Sequence, residues 1–156
     1  PFTDACRDNG TGVFVLVKTS NPSSGQLQDM RFEDGRTLYQ AVADLVETWG
    51  EETRGESGYS AVGAVVGATH PEEGAILRKR LPHTFFLIPG YGAQGGNAQM
   101  LRCCFDGRGL GGIVNNSRGI LCAYRKIGGS YYDAARQACL AMKADLLSAL
   151  GAICAK

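Results

Sequence analysis

Arg118 is the side chain in this sequence best suited to hold an anion. It stands in Asn115-Asn116-Ser117-Arg118-Gly119, where two amides, a hydroxyl and a guanidinium follow the short apolar run Gly112-Ile113-Val114. A guanidinium offers a forked donor set that matches phosphate. About twenty residues upstream, Phe85-Phe86-Leu87-Ile88 stops at Pro89 and opens into Gly90-Tyr91-Gly92-Ala93-Gln94-Gly95-Gly96-Asn97, a loop with four glycines. Glycines let a backbone come close to a ligand. A helical pattern starts just past Asn97, and the first amides of a helix are free to meet an anion. Glycine-rich loops often only make turns. Two consecutive strand ends of this kind together indicate a phosphate site.

Other reactive residue types carry less. Lys18 is predicted at the end of a strand, the place where barrel enzymes do chemistry, so it is a candidate Schiff-base lysine for an aldolase acting on a sugar phosphate. The plainer expectation is a loop lysine with a solvated or ion-paired head. His70 and His83 have no partner pattern for a metal or a Ser/His/Asp triad. The six cysteines, Cys6, Cys103, Cys104, Cys122, Cys139 and Cys154, include no CxxC or zinc spacing. They read as reduced thiols used as small apolar residues, in a cytoplasmic protein.

With 156 residues the chain suffices for one domain with a core. Lys and Arg number 16 against 15 Asp and Glu, with no block of either sign, so no nucleic-acid partner and no membrane surface is expected. No apolar run is long enough to span a bilayer. The sequence opens on Pro1 with no signal-peptide pattern, inside what reads as a helix. That predicts a fragment of a longer protein.

The elements that must position these residues follow from periodicity. Residues 1–9 read as a helix end stopped by Gly10. Val13–Val17 is a continuous apolar strand, expected to be buried on both faces. A helix is predicted from Asp34 as N-cap, with Leu38, Ala41, Val42, Leu45, Val46 and Trp49 as its apolar stripe. Ala61–Val66 is the second strand. Thr69 and Glu72 form a capping box for a helix with Pro71 in its first turn and its end near Pro82. Thr84–Ile88 is the third strand, and Asn97 caps a helix through Met100, Leu101 and Phe105. Gly112–Val114 is the fourth strand. Ser130 and Asp133 cap a long last helix whose apolar face holds Ala135, Cys139, Met142, Leu146, Ala149 and Ile153. A helix followed by four strand-helix units means an α/β protein with parallel strands and right-handed crossovers.

Four such units make either a small open sheet or half of an eight-stranded barrel, since a full barrel needs about 250 residues. Barrels often bind phosphate on the loops after strands seven and eight. The anion-binding features here lie on the last two strand ends, so the predicted fold is the C-terminal half of a TIM (β/α)8 barrel, strands 5–8, as a single domain over 1–156.

At this point the motifs resemble a known family. Leu87-Ile88-Pro89-Gly90-Tyr91-Gly92-Ala93-Gln94-Gly95-Gly96 is similar to the phosphate-gripper loop of the orotidine 5'-phosphate decarboxylases. Val65-Val66-Gly67-Ala68-Thr69-His70-Pro71-Glu72-Glu73 and Asn115-Asn116-Ser117-Arg118-Gly119-Ile120 match in the same order. Val17-Lys18-Thr19-Ser20-Asn21-Pro22-Ser23-Ser24-Gly25 resembles the longer bacterial branch of that family. The likeness covers about residues 10–125, with one motif after each strand.

The resemblance implies a barrel enzyme of pyrimidine biosynthesis that converts orotidine monophosphate to UMP and CO2 without metal or organic cofactor. It implies that Gln94 reaches over the substrate to pyrimidine and phosphate, and that Arg118 pairs with the phosphate. Gly95, Gly96 and Gly119 would supply backbone there, and Ser20 would hydrogen-bond the pyrimidine amide edge. It also implies a homodimer when complete. One departure is large. The family's proton donor is a lysine in an Asp-x-Lys-x-x-Asp motif, and no Asp in this chain has Lys two residues later. The expectation is a substrate-binding half, inactive alone, whose N-terminal partner half carries the chemistry. The competing readings are a free-standing phosphate-binding module and the Lys18 aldolase.

Overall fold

A computed structural model describes residues 1–151. Helix α1, Phe2–Asn9, ends at Gly10 in the left-handed conformation (φ 61°), a C-terminal stop that glycine makes without strain. Strand β1, Val13–Lys18, then starts a sheet with β2, Val62–Val66, β3, Phe86–Pro89, and β4, Gly112–Asn115. The sheet order is β1-β2-β3-β4 and every pairing is parallel. Helices α3, Leu38–Gly50, and α4, Pro71–Arg80, cover one face, and α8, Tyr131–Leu150, closes the chain. This is the predicted succession of parallel strands and outer helices.

The core lies between the sheet and its helices. Val46, Val62, Ala64, Val66, Leu77, Leu81, Phe86, Ile88 and Leu101 are all fully enclosed there. The opposite face differs. Leu16, Val65, Leu87 and Ile113 stand side by side across the four strands. Leu16 is 65% and Ile113 54% exposed, and Phe14 is 44% exposed beside them. The expectation that β1 is buried on both faces therefore fails in this chain: helices cover only one side. Such an apolar face, with β1 and β4 each paired along one edge only, is what half a barrel presents.

Four helix predictions shift in the folded chain. Thr37 caps α3 in place of Asp34, because Gln40 Oε1 accepts the Thr37 N–H at 3.0 Å. Asp34 instead accepts from Arg36 in the preceding turn. The face of α3 that meets the sheet is Tyr39, Ala43 and Val46, while Leu45 and Trp49 are exposed. His70 takes the N-cap position of α4, and the Thr69 hydroxyl bonds the Ser20 carbonyl at 3.1 Å. Asn97 does cap its helix, accepting from Met100 N at 3.0 Å, but α5 is only Ala98–Leu101 and continues as a 3-10 turn through Cys104. On α8 the buried residues are Ala134, Met142, Ala149 and Leu150, and Cys139 is exposed. Ile153 and Cys154 lie outside the described residues.

The base of the sheet is tied by Arg78, a buried side chain of α4. Its guanidinium lies 4.0 Å from the centre of the Phe86 ring. It donates to Thr84 O at 2.8 Å, to Gly111 O at 3.2 Å and to Leu81 O. One cation thus satisfies carbonyls leading into β3 and β4. Beside it, the Tyr59 hydroxyl donates to Asp106 Oδ2 at 2.6 Å, and the amides of Arg108 and Leu110 donate to Asp106 Oδ1 at 2.8 and 2.9 Å. Burial alone would push the Asp106 carboxyl up; these donors outweigh it and hold it well below the usual carboxylate range.

Two outcomes follow from this base. Arg78→Met should lower the stability of the folded chain by about 1–3 kcal/mol, since it leaves the Thr84 carbonyl without its donor, whereas Gly111 O and Leu81 O keep the amides of Phe86 and Thr84. The midpoint of urea unfolding measures it, and an unchanged midpoint would contradict the role given to Arg78. A carboxyl held low when folded adds stability above its unfolded pKa and loses it as pH falls. Asp106→Asn should therefore flatten the loss of stability on acidification below pH about 4, as read from thermal melts across the acid range.

Candidate functional site

The sheet carries its anion-binding candidates at the C-terminal ends of the strands. Ser20 follows β1, Gln94 sits in the loop after β3, and Arg118 lies on α6, Ser117–Leu121, directly after β4. Although 74 residues apart, Ser20 and Gln94 meet: the Ser20 hydroxyl donates to Gln94 Oε1 at 2.8 Å. Gln94 and Arg118 line one small cavity of about 170 Å³ with Pro89, Gly90, Tyr91, Ala93, Asn115 and Ser117. Parallel strands in register bring these loops to one end, which is where α/β proteins place their ligands.

Close backbone approach makes the contact between Ser20 and Gln94. Gly67, just past β2, has the Ser20 main chain against it: a Cβ there would lie 2.6 Å from Ser20 N. Gly90 has φ 102° and the Ser20 side chain beside it, so a side chain at 90 would be both strained and obstructed. Two glycines of separate motifs therefore leave the space that Ser20 fills.

The loop after β3 is ordered by its own hydrogen bonds. Gly96 N donates to Gly90 O at 3.1 Å, Gly95 N to Gly92 O at 2.9 Å and Gly92 N to Gly96 O at 2.7 Å. The Gly119 amide is held by its N-cap, donating to Asn116 Oδ1 at 3.1 Å. The amides of Gly95, Gly96 and Gly119 are thus engaged inside their own turns. The helices after the two loops have four and five residues, too few to build much dipole. The strongest anion donor at this end is then the guanidinium of Arg118, which is exposed and makes no ion pair among the described residues.

Sequence reasoning missed three features here. The Tyr91 hydroxyl donates to Asp145 Oδ2 of α8 at 2.5 Å, which anchors the outer side of the loop. Burial, aided by that carboxylate, pushes the Tyr91 hydroxyl up to about 12. The partners are 54 residues apart, and no local pattern joins them. Second, His70 Nε2 lies 3.4 Å from Ser24 Oγ, with Glu73 4.0 Å from its Nδ1. Ser24 is buried, so this contact holds the loop after β1 against the start of α4. Third, Lys18 has the expected ion-paired head, on Asp29 Oδ1 at 2.6 Å, but its enclosure at the end of β1 is not foreseen by the sequence. The described residues contain no cluster of three or more His, Cys, Asp or Glu that could hold a metal. No helix among them is long and apolar enough to cross a membrane.

No family model matches the chain. Curated proteins do. The orotidine 5'-phosphate decarboxylase of Rhodopirellula baltica is 49% identical over 126 residues, 81% of this chain and 41% of that protein. The enzyme of the same name from Clostridium kluyveri is 44% identical over 150 residues, 94% of this chain and 51% of that protein. Among solved structures, Leishmania donovani UMP synthase superposes with a TM-score of 0.72 at 37% identity, over 93% of this chain and 30% of that one. Leishmania donovani OMP decarboxylase gives 0.65 at 36% identity, over 86% and 48%. The chain spans about half the length of the curated relatives it matches. In sequence and in fold alike, it is similar to the orotidine 5'-phosphate decarboxylases over about half of their length.

Proposed function

We propose that this chain is the phosphate- and pyrimidine-binding half of an orotidine 5'-phosphate decarboxylase, acting in the conversion of orotidine monophosphate to UMP and CO2. The observation that carries the reading is the meeting of Ser20 with Gln94 beside Arg118, at the strand ends of a chain homologous to that family. In this assignment Arg118 takes the phosphate, a charge-assisted contact. Gln94, with donor and acceptor on one amide, spans phosphate and base, and Ser20 bonds the amide edge of the pyrimidine. Gly95, Gly96 and Gly119 shape the turns around the phosphate.

Loss of CO2 leaves an electron pair on the ring carbon, which must then take a proton. None of Ser20, Gln94 and Arg118 is suited to deliver it. The proton donor is assigned to a lysine of an Asp-x-Lys-x-x-Asp motif in a further, N-terminal half, because no such motif occurs here. That half would also cover Leu16 and Ile113. The present residues then contribute binding energy remote from the reacting carbon, which the transition state uses. The pairing of Lys18 with Asp29 argues against the aldolase reading, because its head is engaged by a carboxylate rather than turned to a carbonyl substrate.

The direct test follows orotidine monophosphate absorbance with this chain alone, with a companion half carrying the lysine motif, and with both mixed. The expected result is turnover only in the mixture. Robust turnover by this chain alone would place the proton donor within it. In the assembled enzyme, Arg118→Ala should weaken UMP binding by about 1.5–3 kcal/mol, the loss of a hydrogen bond to a charged group. An unchanged affinity would remove Arg118 from the site. Gln94→Ala and Ser20→Ala should lower kcat/KM without abolishing decarboxylation, with Gln94→Ala also raising KM.

A further inference from the structure

Lys18 has no task in the reaction assigned above, yet it is the only buried lysine among the described residues. Its Nζ lies 2.6 Å from Asp29 Oδ1 and 5.4 Å from the centre of the Tyr39 ring. An ammonium taken out of water is costly unless a partner is close, and here the partner is a carboxylate 46% exposed. Asp29 stands at the C-terminal cap of α2, Gly25–Gln28. The pair therefore closes the segment between β1 and the end of α2 back onto the last residue of the strand.

The neighbouring residues repeat the closure. Gln28 Oε1 accepts the Thr19 N–H at 3.0 Å, and the Thr19 and Gln28 side chains also bond each other. Ser20 comes next. Its carbonyl accepts from Thr69 Oγ1 at 3.1 Å, its main chain rests on Gly67, and its hydroxyl donates to Gln94 at 2.8 Å. The chain of contacts thus runs from an enclosed ion pair through Thr19 to the hydroxyl that meets Gln94.

We infer that Lys18 and Asp29 are a positioning pair for Ser20: their ion pair clamps the loop after β1 onto the strand end and so sets where the Ser20 hydroxyl stands. Only the identity of what Ser20 then touches rests on the decarboxylase reading. The two partners are unequal. Asp29→Asn leaves an enclosed ammonium without its counter-charge, whereas Lys18→Met leaves a carboxylate that can turn to water. Lys18→Met is accordingly the gentler variant and the one to use, with Asp29→Asn as the second.

Two measurements test the pair, and the first needs no catalysis. In amide hydrogen exchange by NMR, Lys18→Met should speed exchange at Thr19 by about tenfold or more, as the local opening becomes easier. The amides of Ala64 and Phe86, bonded to Phe85 O and Gly111 O within the sheet, should be unchanged. Unchanged protection at Thr19 would overturn the inference. So would equal loss at all three, which would make the pair a general support of the fold.

The second uses the assembled enzyme and orotidine monophosphate. Lys18→Met should reduce kcat/KM by about tenfold in the native background but by less than about twofold when Ser20 is already Ala, because residues acting through one contact are not additive. The same loss in both backgrounds would overturn the positioning role. An unsubstituted assembly that fails to turn over the substrate would remove the decarboxylase reading alone, and the exchange result would still decide the pair.

Discussion

The buried guanidinium of Arg78 sets the start of the strands that carry the site. It reaches from α4 under the sheet and bonds carbonyls at Thr84 and Gly111, which lead into β3 and β4. A lysine could not do the same: it lacks the planar fork that reaches several acceptors and the flat face that stacks on Phe86. With the bases of β3 and β4 held, the parallel register Phe86 with Gly112 through Pro89 with Asn115 follows. That register brings the loop of Gln94 and the turn of Arg118 to a common cavity.

At the opposite end the constraint is absence of side chains. Gly67 and Gly90 belong to different strand ends, and both abut Ser20. Replacing either by alanine would push the loop after β1 away from the loop after β3. The contact of Ser20 with Gln94 is therefore a product of two glycines and one ion pair, with Lys18 and Asp29 holding the loop from its far side. The loop after β3 is held in turn by its own amides and by Tyr91 on Asp145. Phosphate recognition by the backbone of this loop would require exchanging internal hydrogen bonds for ligand ones, which suits a loop that rearranges on binding.

The uncovered face is what a closed barrel would bury. Leu16, Val65, Leu87 and Ile113 form one layer of apolar side chains, and only Val65 of the four is buried. In a closed barrel such a face is covered by inward side chains of the other strands. The same closure would place residues from the other strands opposite Ser20, Gln94 and Arg118.

By itself the sequence determined the four strands, their parallel order, the glycine stop at Gly10 and the caps at Asn97 and Ser130. These are local matters, decided by periodicity and by hydrogen bonds a few residues long. The family likeness of the four strand-end motifs was legible for the same reason, since each motif is one continuous stretch. The remaining features depend on partners far apart. The stripe of α3 that meets the sheet runs through Tyr39, Ala43 and Val46 because helix rotation is set by packing on β1 and β2, not by counting apolar residues. Lys18 became an enclosed ion pair only when α2 folded back, and Arg78 a buried cation only when three separate carbonyls converged on it. An isolated lysine or arginine in a sequence reads as solvated, because its burial is favourable only where the fold brings it partners.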